Sequence, residues 1–198
     1  QLMLGKSDTR VTVANLSGSA NSIVVANEDG TLSRTEVGDN ILNSLTCKGD
    51  GINAVCYGPG ANATGADTTA IGAGATAAKS GVVKTADFGA TALGSGATAS
   101  GYNSTAVGRD ATASMNYSMA FGASSNASGL SALAIGTQAN ATQTGSIAIG
   151  TNASSTDFNA TSLGTNSTAS AVSSTSFGAF SNASGLNSVA IGFNAMAS

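Results

Sequence analysis

Large and small residues alternate along this chain at a fixed spacing. A large residue followed by glycine recurs as Tyr57-Gly58, Ile71-Gly72, Leu93-Gly94, Val107-Gly108, Phe121-Gly122, Ile135-Gly136, Ile149-Gly150, Leu163-Gly164, Phe177-Gly178 and Ile191-Gly192. From Gly94 to Gly192 the interval is 14 residues seven times in succession. Gly58 to Gly72 is also 14, and Gly72 to Gly94 is 22, one period plus eight. A fixed period of this kind marks a repeat architecture. Each period holds two short alternating segments, as in Leu133-Ala134-Ile135 and then Ala139-Asn140-Ala141. Alternation with period two is a strand signal, and helical spacing is never sustained. Between the segments fall Gly, Asn and Ser, the residues of tight turns. Two strands of about five residues and two turns of about two residues fill a period. The fold class expected is therefore all-β: a single-stranded β-solenoid, a parallel β-roll of 14-residue coils.

Stacked coils place like residues above like. One column, Ile71, Leu93, Val107, Phe121, Ile135, Ile149, Leu163, Phe177 and Ile191, supplies the large apolar side chains and is expected to be the structural core. On the second strand a polar column contains Asn62, Thr76, Thr98, Thr112, Asn126, Asn140, Ser154, Thr168 and Asn182. The first strand is apolar on both faces, large on one side and Ala on the other. Such a strand must be covered on both faces. A coil of 14 residues is too thin to do this alone, so self-association is expected, through either the Ala/Gly face or the Thr/apolar face.

Stretches such as Asn187-Ser188-Val189-Ala190-Ile191-Gly192 and Ser131-Ala132-Leu133-Ala134-Ile135-Gly136, each followed by an Ala-rich segment, resemble the head repeats of trimeric autotransporter adhesins of the YadA type. The resemblance runs from Asn53 to Ser198. It implies a left-handed parallel β-roll, a side-by-side homotrimer and display on a bacterial outer membrane. It also implies attachment to an extracellular matrix protein, a glycan or another cell-surface ligand. No stalk heptads or barrel strands occur in these 198 residues. No apolar run is long enough to span a bilayer, and Gln1-Leu2-Met3-Leu4 is not a signal peptide. Contact with a membrane is thus expected only through regions outside this segment.

Residues 1–50 read as a small N-terminal β-rich cap or neck, and 51–198 as the head roll with an insertion at 79–89. Ten of the 17 charged residues lie in 1–50. The run Ser22 to Arg34 predicts strand, Asp29-Gly30 turn, strand. Val11-Thr12-Val13 is another short strand candidate. Terminal units of repeat proteins must blunt an exposed edge, which a cap would do. Cys56 takes the slot that holds Ala in later coils, and Cys47 is the only other cysteine. In an exported chain the pair favours a disulfide joining cap to first coil; two unpaired thiols are the alternative. The insertion brings Lys79, Val82, Val83, Lys84, Asp87 and Phe88 to one loop. Loops on a rigid scaffold are favoured binding sites, and also places where neutral insertions accumulate.

Ten Asn-x-Ser/Thr sequons occur. Those at Asn62, Asn126, Asn140 and Asn182 fall on the polar column, where a glycan would fit, although a chain rich in Asn, Ser and Thr also makes sequons by chance. Only 9% of residues are charged, the net charge is −3 and there is no His. This removes the commonest general base and metal ligand and leaves no basic footprint for nucleic acid. A mean hydropathy of +0.16 argues against a solvated tail. Gly94-Ser95-Gly96-Ala97-Thr98-Ala99 matches a dinucleotide-binding fingerprint in letters only, because no helix follows. The serines lack a basic partner. No catalytic residue, metal site or cofactor is expected. The functional readings are a non-enzymatic extracellular adhesin head, a structural segment of a phage, viral or cellular fibre, and an ice-binding solenoid.

Overall fold

The computed structural model describes residues 51–77 and 89–198, together with two strands nearer the N-terminus. The chain divides into two compact units, Gln1–Leu42 and Asn43–Ser198. In the first, β1 (Ser22–Ala26) pairs antiparallel with β2 (Leu32–Glu36), Ser22 opposite Glu36 and Ala26 opposite Leu32. The Asp29-Gly30 turn between them and the Val11-Thr12-Val13 strand candidate lie outside the described residues.

The second unit is a parallel β-solenoid. Three-residue strands, from β3 (Val55–Tyr57) through Leu133–Ile135 to β21 (Val189–Ile191), form one ten-stranded sheet. Two-residue strands, from β4 (Asn62–Ala63) to β22 (Met196–Ala197), form a second. Each strand pairs with the one a coil further on, so that Ala120 faces Ala134 and Ala134 faces Ala148. Thr69 pairs with Thr91 and Thr76 with Thr98. The extra residues between Ala77 and Gly89 therefore leave the coil without shifting its register.

The strands are shorter than the alternation predicts because turns absorb the flanking residues. Each coil closes with two four-residue turns, exemplified by Ala97 N–H donating to Gly94 O (3.1 Å) and Ser104 N–H to Gly101 O (3.2 Å). The third residue of each has positive φ, 68° at Gly96 and 50° at Asn103, as a type II turn requires. The glycine that follows each large residue opens the second turn. At Gly136 φ is 127°, and an added Cβ would lie 2.5 Å from the Gly150 carbonyl oxygen in the next coil. That close stacking, repeated at every winding, is why the period is punctuated by glycine.

Four positions per coil point inward, for example Ala132, Ala134, Ala139 and Ala141, all fully buried. Among the described residues every fully buried side chain is Ala, Ser or Thr, Thr68 being the largest. The buried hydroxyls are satisfied locally, as buried polar groups must be. Ser104 Oγ donates to Gly101 O (2.7 Å) and Ser146 Oγ to Gln143 O (2.7 Å), bracing the turns they end. Where serine also enters the middle of a first-sheet strand it meets a second one. Ser162 and Ser167 Oγ are 2.6 Å apart, as are Ser176 and Ser181 Oγ.

This corrects the expected core column. Ile71, Leu93, Val107, Phe121, Ile135, Ile149, Leu163, Phe177 and Ile191 lie on the outer face of the first sheet, half-buried or exposed, with Phe177 at 50% and Ile191 at 68%. The physical reason is the girth of the coil. Strands of three and two residues joined by tight turns leave room between the sheets for methyl and hydroxymethyl groups only.

Candidate interaction surfaces

With the interior filled by small residues, everything large is presented outward. The outer face of the first sheet carries two files. One is the large column just named, continued by Tyr57 at the N-terminal end. The other contains Val55, Thr69, Thr91, Thr105, Met119, Leu133, Ile147, Thr161, Thr175 and Val189. Val55, Tyr57, Met119 and Val189 are exposed. A soluble monomer rarely displays a contiguous apolar strip of this length, which marks an interaction surface.

The outer face of the second sheet differs: it bears a single polar file. Asn126 Nδ2 donates to Asn140 Oδ1 one coil away (2.8 Å). The side-chain oxygens of Asn62 and Asn182 are shielded from solvent and accept no hydrogen bond. All four candidate glycosylation asparagines thus sit half-buried in this file. The amide nitrogen of Asn126, the atom a glycan would take, is already bonded.

The two turn edges also differ, and the alternation pattern gave no warning of it. The first turns carry exposed Ile52, Met115, Tyr117, Leu130, Phe158, Val172 and Leu186. The second turns carry mainly Gly, Ala, Ser, Thr and Asn, with one exposed Arg109–Asp110 ion pair at 2.9 Å. Such a pair contributes little in water. The available signal was the placing of large apolar residues where turn chemistry favours polar ones. Two aromatic pairs bridge neighbouring coils edge to face: Tyr102–Tyr117 on the first-turn edge, centroids 5.6 Å apart, and Phe180–Phe193 on the second, 5.9 Å apart.

Cys56 is disulfide-bonded and packs, part-buried, against the alanine interior. Cys47 lies outside the described residues, as do Lys79, Val82, Val83, Lys84, Asp87 and Phe88 of the insertion.

A register of exact 14-residue windings with a large-residue–Gly step is the decisive observation, and it agrees with comparison to known families. The YadA head domain repeat matches residues 50–78, 88–111, 99–125, 113–136, 127–153, 158–181 and 169–195, together more than half of the chain. The chain belongs to the YadA head family. No match is found among curated proteins. YadA head repeats build the heads of trimeric autotransporter adhesins, which are not enzymes and stand exposed on the bacterial outer membrane. Membership in the YadA head family implies a homotrimer.

Proposed function

We propose that this chain is an adhesin head that works as a side-by-side homotrimer at the cell surface, holding a matrix protein, glycan or other cell-surface ligand through many weak contacts. The single observation carrying this reading is the apolar outer face of the first sheet, which the chain's own coils leave uncovered. Two sister chains are the occupants that the YadA head family supplies. Burying the large column and its neighbouring file between three rolls turns three thin solenoids into one thick rod. Affinity then grows by avidity, three chains and many copies acting on one surface.

In the same reading residues 1–50 cap the solenoid, and Cys47 is the disulfide partner of Cys56. The insertion at 79–89 is a binding loop, rooted on the first-turn edge between Ala77 and Gly89. Sedimentation should return about three times the mass of one chain. Solid-phase binding to collagen, fibronectin, laminin, cultured cells and plastic tests adhesion. A folded trimer that holds none of these would be a fibre spacer instead.

A further inference from the structure

Tyr117 departs from the turn chemistry of every other coil. It occupies the third position of a first turn at φ 59°, where the other described coils have Asn, Asp, Gly or Ser. A bulky side chain in the left-handed region is strained. The only other aromatic residue in that region is Phe180, also at 59°. Both belong to the two edge-to-face pairs, so each strained turn holds a ring against a ring one coil away. Pairing offsets strain, but an Asn at either place would have avoided it. Residues that break a local rule without local gain are where function is to be sought.

The two pairs have different surroundings. Tyr102 and Tyr117 lie within Gly101-Tyr102-Asn103-Ser104 and Met115-Asn116-Tyr117-Ser118, stacked one coil apart. Tyr102 N–H donates to Asn116 Oδ1 at 3.0 Å, which fixes that carboxamide on the same edge. Tyr117 and Met115 are about half exposed, at 52% and 49%. Tyr, Asn, Ser and Gly together are the composition of recognition surfaces: rigid amphipathic rings beside adaptable hydrogen-bonding groups. No charged side chain belongs to either turn, and Arg109 and Asp110 sit on the opposite edge. Phe180 and Phe193 have rings without the hydroxyl.

From these observations we infer that the Tyr102–Tyr117 edge, with Asn103 and Asn116, is a binding site for a neutral saccharide. A pyranose offers an apolar C–H face and a rim of hydroxyls. The rings, set 80° to one another, supply apolar surface in two orientations, and the amides and phenols supply donors and acceptors. An uncharged patch has no counter-ion for a sialylated or sulfated sugar. This inference rests on the adhesin reading and names the ligand class that one part of the head takes.

The test uses the full chain on immobilised oligosaccharides ending in galactose, mannose or N-acetylglucosamine, beside sialylated and sulfated ones and non-glycosylated matrix proteins. The wild type should bind the neutral set. Tyr117→Asn should lower that binding at least about tenfold with an unchanged or higher Tm, since Asn suits the left-handed turn. Phe180→Asn makes the same exchange at the other pair and should leave binding intact, within about twofold. Undiminished binding by Tyr117→Asn overturns the site. Wild-type binding confined to charged glycans or to non-glycosylated protein overturns the ligand class, while the adhesin reading stands. Protection of Tyr117 from nitration in the assembled head would place it in an interface and overturn the proposal. Failure to bind any surface would remove both.

Discussion

The two faces of the first sheet accept residues of opposite size. On the inner face Ala106, Ala120, Ala134 and Ala148 are fully buried, and the only variation is Ser at 162 and 176 and Cys at 56. On the outer face of the same strands stand Val107, Phe121, Ile135, Ile149 and Phe177, none of them fully buried. In most globular domains the large apolar residues lie inside. Here the usual order is inverted, because strand length and turn geometry set the interior width before hydrophobicity acts. The consequence is energetic. Burial of the large side chains, the strongest favourable term available to this sequence, is not realised by one chain alone, so folding and assembly are coupled as in obligate oligomers.

Three substitutions probe this contrast. The double change Ile135→Ser, Ile149→Ser removes two outer residues; each contributes about 1.5–3 kcal/mol if sister chains cover it. The variant should sediment below the trimer mass at concentrations where the wild type is fully assembled. Assembly unchanged by the double change would show that the interface lies elsewhere. Gly136→Ala combines a φ of 127° with a Cβ 2.5 Å from Gly150 O, and should cost about 2–4 kcal/mol by chemical denaturation. Ala148→Leu forces a branched chain into a filled slot and should cost about 1–3 kcal/mol. Asn140→Leu, on the polar file of the second sheet, loses only the 2.8 Å bond from Asn126 and should cost about 1 kcal/mol or less. Equal tolerance at positions 148 and 140 would mean that inner and outer faces have been exchanged.

Period, strand positions, parallel stacking and the role of the large-residue–Gly step were all legible in the residues. So was the harmless nature of the insertion, since its neighbours resume the same register. The direction of the faces was not. Alternation says only that Ala134 points away from Leu133 and Ile135. Choosing the large face as core follows the general burial preference, which fails when the enclosed space admits nothing beyond Thr68. A sharper signal was present: four positions in each winding, such as Ala132, Ala134, Ala139 and Ala141, hold only Ala, Ser, Thr or Cys in coil after coil. The apolar first-turn edge escaped notice for a related reason. Ile52, Leu130 and Phe158 sit at turn positions outside the alternating strands, where a period-two reading does not look. Tyr117 stood in plain view as the one bulky residue at its turn position, but its meaning depends on the ring of Tyr102 one coil away.

The ladder joins each residue to its counterpart one winding away, with Thr105 beside Met119 and Met119 beside Leu133. Length in such a molecule is quantised. Unequal crossing-over between near-identical copies can delete or duplicate a whole winding, leaving every remaining hydrogen bond and column intact. A gene of this kind can therefore vary the reach of its product by rod increments without ever passing through a misfolded intermediate.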